Sequence, residues 1–313
     1  MTVSRPAWRF AVRSIPESSP PSVRRNTGFT QTYPLLFLLL WSSGFAVVKL
    51  GLAGAEPLTF LSLRYACVVA VLLVLVTLMR LAWPRSWAAW RDLCVVGVLI
   101  QFTYFAGTYL ALGWGLSAGA LAVIVSMQPL LVGALSPWLL GEGVSRQQCA
   151  GLLLGFVGAL LVILSKAQVE VSSVLGLGAA VLALLGMTGG VMYERWRPSA
   201  QHPLMASLVQ CSVGLLLTLP LALAWEAQTL RWTPTMLGAL AYLVIGNSLV
   251  AISLLLAMTR RQQAAQVSAL FFMVPPLAAL MATWLLDEVM PGVAWGGMAV
   301  AALGVWLAGR GKP

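Results

Sequence analysis

The chain has 313 residues, 60% of them hydrophobic and 9% charged, with a formal net charge of +10. That leaves too little polar surface to cover a water-soluble globule, so a soluble domain is excluded and the chain reads as a polytopic membrane protein.

Residues 1–31 are rich in Arg, Ser and Pro and lack apolar periodicity, which reads as a disordered basic tail. The tail has no apolar core, so the first helix is expected to act as an uncleaved anchor; a misassigned start codon would give the same sequence. Crossing ~30 Å of hydrocarbon as a helix takes about 20 residues. Ten apolar runs qualify, at roughly 33–53, 57–79, 93–113, 118–140, 147–165, 173–193, 203–225, 235–257, 264–286 and 291–309. The third and fourth are separated only by Gly113 to Ser117.

Lys and Arg are retained in cytoplasmic loops. With the N-terminus inside, the cytoplasmic side collects Arg5, Arg9, Arg13, Arg24, Arg25, Arg80, Arg85, Arg91, Arg146, Arg195, Arg197, Arg260, Arg261, Arg310 and Lys312. The outer side receives Lys166 and Arg231, and Lys49 and Arg64 fall within helices. Both termini are therefore expected in the cytoplasm of a cell inner (plasma) membrane protein. This distribution accounts for the positive charge, so no nucleic-acid partner is implied.

The stretches Ser117 to Lys166 and Gln263 to Lys312 superimpose without a gap at an offset of 146 residues. The offset pairs Met127 with Met273, Pro129 with Pro275, Trp138-Leu139-Leu140 with Trp284-Leu285-Leu286, Glu142 with Glu288, and Gly151 and Gly158 with Gly297 and Gly304. The expected fold is an all-α integral membrane protein of ten transmembrane helices, with a first repeat at 32–166 and a second at 167–313. Five helices per copy reverse the second copy, which puts Glu142 inside and Glu288 outside. Inverted repeats of this kind occur in secondary transporters, where either half can adopt the other's conformation. Pro129, Pro275 and Pro276 sit in the middle of the fourth and ninth runs and are candidate gating bends, or ordinary kinks. Gly151, Gly155 and Gly158, matched by Gly297, Ala301 and Gly304, form a small-residue stripe suited to internal packing or to a homodimer interface, so the chain is a monomer or a homodimer. Trp114, Trp138, Trp196, Trp225, Trp232, Trp284 and Trp295 lie at helix ends, as anchors in membrane lipid do.

The first helix reads Trp41-Ser42-Ser43-Gly44-Phe45-Ala46-Val47-Val48-Lys49, followed by Pro57-Leu58 and Arg64. Further on come Ala118-Gly119-Ala120, Pro129, Trp138-Leu139-Leu140, Glu142 and a glycine-rich helix. In order and spacing these motifs resemble the EamA-like family of the drug/metabolite transporter superfamily, over nearly everything after residue 32. The second copy departs at its start, where Gly186-Met187-Thr188-Gly189-Gly190 stands. The resemblance implies a ten-helix transporter, often an exporter of amino acids or other small metabolites.

Trp41, Phe45 and Lys49 recur every four residues and share a helix face. That aromatic and cationic face suits a substrate with an apolar body and a carboxylate; alternatively the rings face lipid or core and Lys49 snorkels. Arg64 lies about 10 Å below the outer boundary at helical rise. Its insertion costs roughly 2.5–3.5 kcal/mol on translocon scales, which points to substrate contact or to a clamp on a neighbour's helix-end carbonyls. Gln101 and Tyr104, three apart, are expected to face together. With Ser126, Gln128, Thr188, Gln210, Asn247 and Ser248 they are candidates to orient a substrate, or to bridge helices.

The carboxylates Glu17, Glu56, Asp92, Glu142, Glu170, Glu194, Glu226, Asp287 and Glu288 fall outside the predicted hydrocarbon core, and His202 is in a loop. A proton relay through a buried carboxylate is therefore disfavoured, unless Glu56 or Glu194 dips inward from its helix end. Facilitated diffusion, exchange or potential-driven movement fits better. Cys67, Cys94, Cys149 and Cys211 fall singly in four runs and suggest neither a disulfide framework nor a metal site. There is no HExxH motif, no P-loop and no repeated filter loop. The expectation is thus a secondary transporter exporting a small amphipathic metabolite by alternating access, with no cofactor and no catalytic residue. The alternative is a membrane sensor or scaffold.

Overall fold

The computed structural model describes residues 29–140, 145–167, 174–251, 254, 274–287 and 291–310. Residues 1–28, Glu142, Glu170, Glu288, Arg260 and Arg261 lie outside them, as do the expectations that concern them. The described residues are helical throughout, apart from one isolated β-bridge and the connecting loops. Helix α1 spans Phe29–Leu52 and α2 spans Pro57–Leu78, opening on a proline whose missing N–H is not needed in the first turn. Helix α3 runs from Trp87 to Gly113, starting before the predicted boundary because Ser86 caps it by accepting from the Ala89 N–H at 3.1 Å.

The narrow gap before the next helix is a true break. Gly115 takes φ 92°, and Ser117 caps α4 by accepting from the Ala120 N–H. Helix α4 is itself interrupted: Ala118–Val125 ends at Ser126, and a second piece, Gln128–Leu140, follows with Pro129 in its first turn. Helix α5 is Arg146–Ala167, α6 Val174–Trp196, α7 Pro203–Trp225, α8 Pro234–Ala251, α9 Val274–Leu286 and α10 Gly292–Arg310. Pro275 and Pro276 stand in the first turn of α9. Among the described residues seven helical stretches are long and apolar enough to cross a membrane: those of α1, α2, α3, α4, α6, α7 and α8.

The packing is symmetric in an unusual sense. Helix α1 packs on α8 and α9, and α6 packs on α3 and α4; exchanging the first five helices for the last five converts one set of contacts into the other. The contacts of α2 with α7 and of α5 with α10 map onto themselves. Where α5 crosses α10, a Cβ on Gly158 would lie 2.2 Å from the Ala301 nitrogen, and one on Gly304 would lie 2.2 Å from the Gly155 nitrogen. The small-residue stripe is thus an internal seam between the two helices.

The offset of 146 also relates parts that look dissimilar in sequence. It carries Gly44 to Gly190, Lys49 to Arg195, and Pro57-Leu58 to Pro203-Leu204. Helices α3 and α8 each contain a π-helical stretch, Gly97–Tyr104 and Tyr242–Ala251, and the offset carries Gln101 in one to Asn247 in the other. π turns widen a helix locally and recur at functional sites.

Side chains are distributed opposite to those of a soluble protein. Leu78, Leu153, Leu182, Leu216 and Ile245 point outward, while Ser42, Ser62, Arg64, Gln101, Thr108, Thr188, Gln210 and Asn247 are buried. A leucine-rich exterior around a polar interior is what lipid selects, since lipid solvates leucine and leaves polar groups to pair with one another. The chain is a multi-pass membrane protein.

Candidate functional site

Helices α1, α2, α3 and α8 line a cavity of about 30 Å³. Its wall from α1 is Trp41, Gly44, Phe45 and Val48, a four-residue periodicity that keeps these positions on one face. Helix α2 contributes Arg64, α3 contributes Tyr104, Phe105, Thr108 and Tyr109, and α8 contributes Leu243 and Asn247. Gly44 favours this approach: a Cβ there would lie 2.7 Å from the Asn247 side-chain nitrogen, which would have to shift.

Arg64, only 4% exposed, is the electrostatic centre. One Nη donates to the Tyr109 hydroxyl at 3.0 Å, and the other donates to Asn247 Oδ1 at 3.2 Å and to Ser248 Oγ at 3.0 Å. Nε donates to the same Ser248 oxygen at 3.3 Å, and the Phe105 ring centroid lies 5.0 Å from the guanidinium carbon. Asn247 is itself held by donating to the Leu40 carbonyl at 3.0 Å. The partners of Arg64 are all neutral, so among the described residues its charge has no protein counter-charge. Guanidinium does not shed its proton in proteins, so the charge stays in the membrane interior.

Of the residues singled out in the sequence, Trp41, Phe45, Arg64, Tyr104 and Asn247 come together from four helices. Lys49 does not line the cavity, although it continues the Trp41 and Phe45 face. Gln101 diverges from Tyr104: its backbone carbonyl and its side-chain oxygen both accept from the Tyr65 hydroxyl, while Tyr104 faces the cavity. The π register explains this, because a wider turn rotates residues three apart away from a common face. Thr188 is buried, its hydroxyl donating to the Leu184 carbonyl of its own helix, and Gln128 is half-buried at the start of the second piece of α4. The side chains of Pro129, Pro275 and Pro276 lie outside the described ones.

Sequence reading missed Tyr109, Phe105 and Thr108. Their spacing from Tyr104 gave the signal, since positions 104, 105, 108 and 109 form one helical face, but aromatic and small residues in an apolar run look like core. Tyr109 is fully buried and its hydroxyl is polar, which is the property that distinguished it.

A second cavity, of about 410 Å³, opens between α6 and α7 and is lined by Val191, Glu194, Arg195, Pro198, Ser199, Gln201, Pro203, Ala206, Ser207 and Gln210. It accounts for the remaining candidate, Gln210. The offset of 146 relates the two cavities: Phe45 corresponds to Val191, Val48 to Glu194 and Arg64 to Gln210. One is narrow and centred on a cation. The other is wide and carries a carboxylate at its rim.

A latch joins the end of α7 to the start of α2. Glu226, at the end of α7, accepts from the Leu58 N–H at 2.8 Å and from both the N–H and hydroxyl of Thr59 at 2.7 Å. It supplies the N-terminal cap that Glu56 does not provide for α2. Beside it the Arg231 N–H donates to the Gly54 carbonyl at 2.8 Å, and Ala55 pairs with Leu230 in an antiparallel bridge. The offset places Arg80 where the second half has Glu226, and the first turn of α7 is capped locally by His202.

A helical membrane bundle with internally related halves and a buried polar cavity between them has the build of a solute carrier. The model of the EamA-like transporter family matches residues 31–164 and again 174–310, and the chain belongs to that family. It is therefore a transporter of the drug/metabolite superfamily. It is 24% identical over 285 residues to a protein of Escherichia coli (strain K12) named probable amino-acid metabolite efflux pump, covering 87% of this chain and 92% of that protein. It is 31% identical over 212 residues to protein PecM of Dickeya dadantii (strain 3937), covering 67% and 69%. A third relative, from Streptantibioticus cattleyicolor, is named probable terminal-alkyne amino-acid exporter; it is 25% identical over 291 residues, covering 88% and 92%. A crystal structure at 19% identity shares the fold, with a TM-score of 0.64 over 90% of this chain and 96% of that one.

Proposed function

We propose that this protein exports a small amphipathic metabolite, an amino acid or derivative, across the inner membrane by alternating access. The observation that carries this reading is Arg64, a buried cation with neutral partners, set beside the aromatic wall of Trp41, Phe45 and Phe105. A substrate carboxylate supplies the missing counter-charge, and an apolar body lies against the rings. The names of the Escherichia coli and Streptantibioticus relatives support an amino-acid-like cargo.

In this reading the chain crosses the membrane ten times, as inverted repeats at 32–166 and 167–313 with both termini in the cytoplasm. The two offset-related cavities support it, since one is narrow while its counterpart is wide. The wide cavity then faces the cytoplasm, where the basic loops lie, and the latch faces outward. Transport exchanges the two conditions between halves. Pro129, at the break in α4, and Pro275, its counterpart by the offset, are the bending points.

Counterflow of labelled amino acids and related carboxylates into proteoliposomes tests the proposal. Counterflow of at least one carboxylate is expected, with loss in Arg64→Gln and partial retention in Arg64→Lys. A broad panel giving no counterflow would leave the sensor or scaffold alternative. Normal transport by Arg64→Gln at normal expression would remove the arginine from substrate binding.

A further inference from the structure

The pocket around Arg64 is too small for the cargo just proposed, yet the charge that calls for a partner is inside it. Sites for small organic molecules measure about 300–1,000 Å³, whereas this cavity measures about 30 Å³. That is room for one species of water or halide size. An unpaired charge at this depth carries a desolvation penalty of several kcal/mol, which neutral hydrogen bonds offset only in part.

The remaining donors converge on the same space. Guanidinium has five N–H groups, and the four contacts to Tyr109, Asn247 and Ser248 leave one Nη hydrogen over. The Tyr109 oxygen accepts from Arg64, so its own proton is available to donate. Tyr104 also lines the cavity, its hydroxyl paired with the Thr108 side chain. One guanidinium N–H and the Tyr109 O–H beside a halide-sized space form a donor set without a competing carboxylate among the described residues.

We propose that this pocket binds a small monovalent inorganic anion, with chloride as its physiological occupant, whenever the latched conformation excludes the larger substrate. The anion neutralises Arg64 through the part of the cycle in which no substrate carboxylate does. Chloride and substrate therefore compete for the same cation, a consequence that rests on the transporter reading, whereas chloride binding itself does not.

Equilibrium retention of radiolabelled chloride by the purified full-length protein, without any organic substrate, tests this directly. Saturable retention is expected, displaced by bromide. Charge-assisted hydrogen bonds are worth about 1.5–3 kcal/mol, so affinity should fall roughly tenfold to hundredfold in Arg64→Gln and stay within a few-fold in Arg64→Lys. Tyr109→Phe, which removes one donor and keeps the ring, should weaken retention several-fold and serves if Arg64→Gln does not fold. Absence of saturable retention by the wild type overturns the proposal, as does equal retention by monodisperse Arg64→Gln or Tyr109→Phe protein. If chloride is retained while every counterflow assay is negative, the anion site stands and the transport reading fails. The converse pattern retains transport and removes the anion.

Discussion

The seam between α5 and α10 gives the most direct test of the fold, through Gly158→Ala. The added methyl carbon would start 2.2 Å from the Ala301 nitrogen and 2.6 Å from the Gly297 carbonyl oxygen, against 3.4 Å for an ordinary contact. Both obstacles are backbone, so no rotamer relieves them, and the two helices must separate by about 1.2 Å along that line. Overpacking of this kind costs typically 1–3 kcal/mol, from which the better helix propensity of alanine returns at most about 1 kcal/mol. The assay is thermal unfolding in detergent, comparing Gly158→Ala with Gly296→Ala. Gly296 is also on α10, but a Cβ there meets nothing within 4 Å. The melting temperature should drop by several degrees for Gly158→Ala and stay level or rise for Gly296→Ala. Gly304→Ala should resemble Gly158→Ala, and the double variant should cost less than the two together, because both widen one gap. Equal melting temperatures for Gly158→Ala and Gly296→Ala would refute the seam.

Glu226→Ala removes three hydrogen bonds to the start of α2, and a loss of about 1–3 kcal/mol shifts a two-state equilibrium roughly five- to hundredfold. Labelling of a single cysteine at Val48 by an impermeant thiol reagent, in a background without the native cysteines, should quicken from the outer side; an unchanged rate counts against the latch. Gly44→Ala should push Asn247 aside and loosen its bonds to Arg64 and the Leu40 carbonyl. Transport affinity is expected to fall about five- to tenfold for roughly 1 kcal/mol lost, which a counterflow titration would read. Pro129→Ala and Pro275→Ala should each alter cysteine accessibility on both faces; unchanged patterns would leave the prolines without a gating role.

Much of the architecture is legible in the sequence because lipid imposes it. A helix must be about 20 residues long and apolar, so the runs at 57–79 and 203–225 give α2 and α7 almost to the residue. The duplication was legible where it preserved Pro, Trp and Gly. In α1 and α6 it was hidden, because Trp41 and Phe45 answer to Met187 and Val191, and apart from leucines and the Ser42–Thr188 pair little beyond Gly44, Lys49 and their partners keeps the register. Two features lie beyond hydropathy. The π stretches change the hydrogen-bond register without changing composition, so Gln101 and Tyr104 part although their spacing suggests a shared face. The union of Glu226 with α2 joins residues 168 positions apart in the chain, and no local pattern announces it. Arg64 was visible from its charge alone; its ring of neutral partners required the fold.

The latch has a thermodynamic consequence. Glu226 bonds the start of α2 where its offset counterpart is Arg80, so in the proposed cycle the two end states are not equivalent and are populated unequally. A passive carrier that returns to its starting state cannot turn such inequality into net work, and the gradient alone decides the direction of flow. What a one-sided latch sets instead is the apparent affinity at each face, by fixing the fraction of molecules ready to load there. Natural variation at position 226 would then tune the solute concentration at which the carrier half-saturates, leaving untouched the solutes it accepts.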